Sequence, residues 1–251
     1  MEEKNYRVLR IEEQLYGCEE LPEGQPVLCD VLLEAADGTQ RVLPYPDAEL
    51  TRLDINEGST VTLRDHRLVK AAHKIYFTRH GETVWNVENK ICGMTDSPLT
   101  EKGRAQAREL GEKLRASGLR IDEILYSPLS RAADTARAIA EATGIPARCE
   151  PRLREQCFGR YEGTPRDGEE FRISKTHFAD RYSGGESMMQ LAQRIYNLLD
   201  ALRADTDKTY LLVAHNGIAR VVQSYFYDMT NEEYAAAGIK NCEFVEFTFN
   251  E

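Results

Sequence analysis

The sequence predicts an α/β protein: a three-layer α/β/α domain with a mostly parallel sheet over residues 73–251, preceded by a small mainly-β domain over residues 1–72. Three observations lead there. From Lys74 onward, apolar runs of strand length alternate with amphipathic helical patterns, the signature of a parallel sheet covered by helices. Before it, short β-rich runs are broken by turn residues and no helical period is sustained. The charge balance also changes, because residues 1–72 carry 8 Lys and Arg against 15 Asp and Glu, a net of −7 within the chain's −10.

In the first segment the runs are Tyr6 to Ile11, Val27 to Leu33, Arg41 to Leu43 and Thr60 to Leu63, with turn signals at Asp37-Gly38, Pro44 to Pro46 and Glu57-Gly58. They imply a small sheet or barrel with an acidic surface. In the second segment strands are predicted at 74–79, 122–126, 209–214 and 242–249, and helices at roughly 100–116, 129–142, 186–203 and 217–227. Gly144 followed by Pro146 ends the second of these helices. Met188, Leu191, Ile195, Leu198, Leu199 and Leu202 recur at helical spacing, so the third helix buries one face and its methionines are read as core filler.

Composition excludes several classes. A length of 251 residues with 41% hydrophobic content supports one good core and a smaller unit. The first 17 residues lack an apolar stretch of signal-peptide length, and no run reaches the roughly 18 apolar residues that span a bilayer. A cytoplasmic protein is expected. The six cysteines, Cys18, Cys29, Cys92, Cys149, Cys157 and Cys242, form no CxxC pair and no zinc spacing, so reduced structural thiols are expected. A net charge of −10 opposes a nucleic-acid or anionic-membrane partner, since both need a basic footprint. It does not oppose a small anion held by a few local arginines.

In open α/β sheets the functional crevice lies beyond the carboxyl ends of the strands. Two histidines stand there. His80 follows the 74–79 run directly after Arg79, His215 follows Tyr210 to Ala214, and each has a glycine within two residues. A third strand end runs into Ser127-Pro128-Leu129-Ser130-Arg131 and puts Arg131 in the first turn of a helix. A cation there opposes the helix dipole, unless an anion sits between the helix start and the guanidinium. The alternative is that Arg131 pairs with Asp134 or another surface acid. A glycine-punctuated loop, Leu153 to Gly163, adds Glu155 and Glu162.

Together these segments resemble the histidine phosphatase superfamily, the phosphoglycerate mutase-like enzymes: RHGET at 79–83 with Asn86 downstream, GMTDSPLTEKGRAQA at 93–107, SPLSRAADTA at 127–136, LREQCFGRYEG at 153–163, GGES at 184–187 and VAHNGIAR at 213–220. Residues 1–72 lie outside the resemblance. It implies a catalytic set of His80, Glu155 and His215, with His80 as the nucleophile that is transiently phosphorylated and Glu155 as proton donor and then base. Arg79, Arg131 and His215 would surround the phosphoryl oxygens, and Asn86 would orient phosphate or leaving group. Glu162 matches a structural position instead, while Glu82 and Thr83 hold the loop. No metal and no other cofactor is implied.

Two departures stand out: Asn216 where many relatives have glycine, and Cys92 where a polar residue is frequent. Glu155 to His215 spans only 60 residues, and FGRYEG followed by GGES resembles the phosphatase branch. The expected activity is therefore metal-independent phosphomonoester hydrolysis on a small phosphorylated metabolite. The alternatives are a phosphoglycerate mutase-type phosphotransferase or an inactive phosphate-binding regulator. Neither nucleic acid nor membrane is expected as a partner, and self-association into a homo-oligomer stays open. The 164–183 segment, with Phe171, His177, Phe178 and Tyr182, has two open readings: a wall over the site or a satellite core.

Overall fold

In the computed structural model, the described residues are 5–14, 25–35, 37–70, 73–206 and 208–249. Cys18 and the Ala71-Ala72 step at the expected domain boundary lie outside them. The chain divides into two compact units, Met1–His73 and Lys74–Glu251.

The first unit is one antiparallel sheet with a short helix. Its elements are β1 (Asn5–Glu13), β2 (Leu28–Ala35), β3 (Gln40–Pro46), α1 (Asp47–Arg52), β4 (Thr60–Arg64) and β5 (Arg67–Lys70), and the strand order is β3-β2-β1-β4-β5. Side chains alternate along β2, with Cys29, Val31, Leu33 and Ala35 all buried. One face thus joins Val8, Tyr45, Leu50, Ile55, Val61 and Leu68 in a single core. Pro44 to Pro46, read as a turn from sequence, instead ends β3. Pro44 pairs with Asp30 and Pro46 with Leu28, which the missing N–H groups allow because β3 is an edge strand. The β4–β5 hairpin turns on Asp65 and His66, whose φ angles are 47° and 63°. That geometry is ordinarily signalled by Asn-Gly or Asp-Gly, so β5 went unpredicted.

The second unit holds a five-stranded sheet in the order β10-β6-β9-β7-β8, with helices between the strands. Along the chain come β6 (Lys74–Arg79), α2 (Val84–Val87), α3 (Glu101–Ser117), β7 (Glu123–Tyr126), α4 (Ser130–Thr143), β8 (Ala147–Cys149), α5 (Glu169–Ser174), α6 (Met188–Ala204), β9 (Tyr210–Ala214), α7 (Asn216–Phe226), α8 (Asn231–Ala236) and β10 (Phe244–Thr248). β6, β9, β7 and β8 pair in parallel, whereas β10 runs antiparallel to β6. Ile75 and Phe77 of β6 join a core with Leu191, Ile195, Leu198, Ile218 and Val222 of α6 and α7. Tyr76, between them, joins a second core with Leu110, Leu114, Ala132 and Ile139 of α3 and α4. The period-2 alternation of a buried strand therefore serves two apolar clusters at once. Met188 packs on the first of these, but Met189 is 63% exposed and is not core filler.

The loop after β6 is wedged against α3. A Cβ on Gly103 would lie 2.0 Å from the Glu82 carbonyl oxygen, and one on Gly81 would lie 2.4 Å from the Gly103 carbonyl oxygen. Helix propensity favours alanine over glycine by about 1 kcal/mol, but backbone cannot yield as a flexible side chain does. Gly103→Ala is expected to lower the unfolding free energy by about 1–2 kcal/mol, the scale of overpacking. Denaturant titration checks the sign, and a stabilised variant would contradict the close approach.

Candidate active site

The parallel register sets the site. Arg79 pairs with Ala214 across β6 and β9, so His80 and His215 leave adjacent strands at the same level. Their rings lie with centroids 5.2 Å apart. The His80 backbone N–H donates to the Ala214 carbonyl at 3.0 Å. Its ring Nδ1 lies 2.7 Å from the Gly81 carbonyl, an acceptor only, so Nδ1 carries the proton and Nε2 keeps its lone pair. Burial, together with the Arg131 and Arg79 charges, pushes the His80 imidazole well below its ordinary 6.5. The ring is neutral at pH 7, as a nucleophile must be.

His215 is fully buried, and its Nε2 lies 2.6 Å from Ser127 Oγ. Ser127 Oγ already accepts from the Leu129 N–H at 3.3 Å. Donation of the hydroxyl proton to Nε2 satisfies the serine and leaves the proton of His215 on Nδ1, which has no partner. Burial, then Arg131 and His80, keep this imidazole well below 6.5 as well.

Arg131 is 1% exposed. It is not a surface residue paired with Asp134, which binds Arg137 at 2.8 Å instead. Its guanidinium donates to the carbonyls of Gly93 at 2.7 Å and Thr95 at 3.1 Å and to Asp96 Oδ1 at 3.2 Å, while its Nε is unpartnered. Asp96 Oδ2 also accepts the Ser130 N–H at 2.7 Å. The unfavourable meeting of Arg131 with the α4 dipole is thus offset by a carboxylate at the same helix start. Arg79 donates to the Ile239 carbonyl at 3.1 Å, its Nε is unpartnered, and burial followed by Arg166 repulsion pushes it down to about 10.

Glu155 is buried, with Oε1 accepting from its neighbour Gln156 N–H at 2.9 Å and Oε2 from the Gly217 N–H at 3.1 Å. Glu162 is committed elsewhere: it accepts from the N–H groups of Met94 and Phe158 at 2.9 and 3.0 Å and from Thr95 at 2.7 Å. Asn86 completes the capping box of α2 with Thr83, and its Oδ1 accepts from Asn241 Nδ2 at 3.2 Å. Glu82 pairs with Lys102 at 2.8 Å. Asn216 Oδ1 accepts from the Ile239 N–H at 3.0 Å, tying the start of α7 to the loop that also holds Arg79. Burial pushes the Cys92 thiol up, away from a reactive thiolate.

A pocket of about 90 Å³ opens among these groups, lined by Arg79, His80, Asn86, Glu155 and Cys92, whereas Arg131 and His215 are buried and do not line it. Arg166, Lys175 and Arg220 also line it and were not foreseen. Arg220 stands four residues after Asn216 on α7, a spacing that puts both on one helix face, whereas Arg166 and Lys175 lie in a segment without a period. Phe171 and Tyr182 are buried against Phe158 and Tyr161, and Phe171 and Phe158 also face the pocket, so these two phenylalanines serve wall and satellite core at once. Phe178 packs edge-on to Tyr234, and His177 lies 3.3 Å from Asp180 beside a separate 310 Å³ cavity. Among the described residues, no cluster of His, Cys, Asp and Glu could hold a metal ion, Cys29, Cys92, Cys149, Cys157 and Cys242 are free thiols, and no helix is long and apolar enough to cross a membrane.

Residues 75–251 match the histidine phosphatase superfamily, branch 1. The chain belongs to this superfamily. Curated relatives include "Probable phosphoglycerate mutase GpmB" of Enterobacter sp. (strain 638), 42% identical over 58% of this chain and 70% of that protein. The protein of the same name from Yersinia pestis (strain Pestoides F) is 33% identical over 71% and 86%. A mycobacterial glucosyl-3-phosphoglycerate phosphatase solved with VO3 is 29% identical, with a TM-score of 0.62 over 70% of this chain and 90% of that one. The alpha-ribazole phosphatase of Shigella flexneri, 24% identical with a TM-score of 0.61 over 71% and 91%, shares the fold.

Two expectations follow. A Cβ on Gly217 would lie 2.4 Å from Glu155 Oε1, so Gly217→Ala should displace the carboxylate and cut turnover of any Glu155-dependent reaction roughly 10²-fold, the scale of one proton-transfer group, with the circular dichroism spectrum unchanged. The second concerns pH. Both histidines titrate lower in the folded than in the unfolded chain. Between that depressed value and 6.5 the unfolded state binds more protons, so stability rises with pH and is lost as pH falls below 6.5. From pH 7 to 5.5 each histidine should withdraw stability. Comparing denaturant titrations of wild type and His215→Asn isolates one share, and an identical pH slope would contradict the buried neutral ring.

Proposed function

We propose that this superfamily member is a phosphomonoester hydrolase that acts on a small phosphorylated metabolite through a phosphohistidine at His80. The observation that carries the reading is a set of buried side-chain nitrogens with no partner, Arg79 Nε, Arg131 Nε and His215 Nδ1, the first two on residues whose fields depress His80. Buried donors are ordinarily satisfied, and a phosphoryl group at His80 would satisfy them. They would stabilise the charge that spreads over its oxygens in transfer.

In this reading the His80 Nε2 lone pair attacks phosphorus, the bond from phosphorus to the ester oxygen breaks, and Glu155 gives that oxygen its proton. Water then attacks phosphorus, its proton passes to Glu155, the P–N bond breaks, and inorganic phosphate leaves with His80 neutral again. The cations come from side chains, so no metal enters a step. Residues 73–251 serve as the catalytic domain, a sheet between two helical layers, and residues 1–72 form a small acidic β domain. A cytoplasmic protein whose partner is its substrate, with no nucleic acid or membrane, completes the proposal.

A mutase is the second reading, favoured by the printed name of the GpmB relatives. The short stretch between Glu155 and His215 and the likeness to a phosphatase at 29% identity favour hydrolysis. Wild type should hydrolyse p-nitrophenyl phosphate in EDTA, and His80→Ala should lose at least about 10³-fold in kcat/KM, as enzymes that lose a nucleophile do. With 3-phosphoglycerate, phosphate release should exceed isomerisation. Isomerisation outpacing release would replace the proposal with the mutase, and equal activity of wild type and His80→Ala would remove His80 from the chemistry.

A further inference from the structure

Both site histidines are buried and neutral at pH 7, so each ring carries one proton and has two nitrogens on which to hold it. The partners of those nitrogens decide between them. His80 Nδ1 meets the Gly81 carbonyl at 2.7 Å, and His215 Nε2 meets Ser127 Oγ at 2.6 Å. Neither Gly81 nor Ser127 lines the pocket. Both are held from behind by α3, α4 and β9.

The Gly81 carbonyl belongs to the peptide that joins Gly81 to Glu82. The N–H of that same peptide donates to Gln106 Oε1 of α3 at 2.9 Å. A chain of hydrogen bonds therefore runs from the His80 ring through one peptide unit to the Gln106 amide, and each bond polarises the next. The peptide before it is held as well: the Gly81 N–H donates to Thr135 Oγ1 of α4 at 3.1 Å, and the Thr135 hydroxyl donates to the Arg131 carbonyl at 2.8 Å. With both peptides pinned, the Gly81 carbonyl cannot turn away from the ring without breaking the Gln106 bond. At the other ring, Ser127 is fully buried, and its N–H donates to the Val213 carbonyl of β9 at 3.1 Å, two residues before His215. Its Oγ accepts from the Leu129 N–H, and among the described residues its hydroxyl proton has no acceptor other than His215 Nε2.

We infer that Gln106 and Ser127, neither of which lines the pocket, are positioning residues that place the proton on Nδ1 of His80 and on Nδ1 of His215. His80 then keeps the Nε2 lone pair that attack needs, and His215 offers an N–H from Nδ1, the nitrogen that has no partner. The opposite tautomers would reverse both roles: His80 would present an N–H where a lone pair is required, and His215 a lone pair toward oxygens that carry negative charge. The consequence for transfer rests on the phosphatase reading. The proton positions themselves do not.

Long-range proton–nitrogen correlation spectra of the nitrogen-labelled full chain at pH 7 test this directly. Nε2 couples to both carbon-bound ring protons and Nδ1 strongly to one, and a protonated ring nitrogen resonates far upfield of a bare one. His80→Ala and His215→Asn assign the two rings. Wild type should show the proton on Nδ1 in both. Ser127→Ala should return the His215 proton wholly or partly to Nε2 and leave His80 unchanged, and Gln106→Leu should do the converse. Ser127→Thr keeps the hydroxyl and Gln106→Glu keeps the acceptor oxygen, so both should restore the wild-type pattern. In Ser127→Ala, kcat for p-nitrophenyl phosphate should fall roughly 10- to 100-fold, the scale of one hydrogen bond to a charged group, with less change in KM. Wild-type His215 protonated on Nε2, or unchanged tautomers or unchanged kcat in Ser127→Ala, would overturn the assignment for Ser127, and an unmoved His80 proton in Gln106→Leu would overturn it for Gln106. The wild-type spectrum decides even where a variant fails to fold, and Ser127→Cys, with its weak S–H donor, is then the second substitution. Nδ1 protons as expected without phosphate release by wild type would sink only the hydrolase, and phosphate release with His215 protonated on Nε2 would sink only this inference.

Discussion

The sheet's carboxyl edge answers to one electrostatic constraint: an imidazole stays neutral among buried cations. Burial is the largest cause for His80, followed by Arg131 and Arg79, with Arg166 adding to them. In the proposed reaction Arg131 and Arg79 would hold the phosphoryl oxygens, and they keep the imidazole unprotonated beforehand. The bond from Nδ1 to the Gly81 carbonyl then selects which nitrogen attacks. Unpartnered guanidinium nitrogens and like charges are costly where they are buried. Such strain persists only where surrounding structure over-determines it.

The surroundings supply that rigidity from two sides. Arg131 takes the carbonyls of Gly93 and Thr95, while Glu162 takes the N–H groups of Met94 and Thr95. The loop between α2 and α3 is therefore clamped on both of its polar edges, and the clamp fixes the guanidinium in return. Glu162 is thus a positioning residue beside Glu155, and the two acids of one loop are separated by what each accepts. Asp96 binds both the Arg131 guanidinium and the first N–H of α4, so one short carboxylate makes a cation tolerable at a positive helix end.

What the sequence disclosed and what it hid divide along physical lines. β6, β7, β9 and β10 and the helices α3, α4, α6 and α7 carry long apolar periods, and their limits fall within about two residues of the expected ones. His80 and His215 were legible because strand ends are fixed by register. The missed elements lacked such a signal: β8 is three exposed residues at an edge, and β5 follows a turn made by Asp65 and His66 in a conformation usually left to glycine. Pro44 and Pro46 read as a turn because sequence does not say which strand is an edge. Arg131 was legible as an anomaly, but its partner Asp96 was not, since 35 residues separate them.

Arg166 and Lys175 were hidden for another reason. The strand-end residues owe their positions to hydrogen-bonded neighbours in the sheet, so moving one moves a strand. Arg166 and Lys175 belong to a segment held by aromatic packing of Phe158, Tyr161, Phe171 and Tyr182, where a cation can be gained or lost without disturbing β6 or β9. The two histidines thus sit on register, and the further cations of the pocket wall on packing. The aromatics that face the pocket also form that small core, so the wall's shape is coupled to its stability. A substitution at Phe171 would reshape the pocket by the same event that loosens the segment, and the charges the segment carries would move with it.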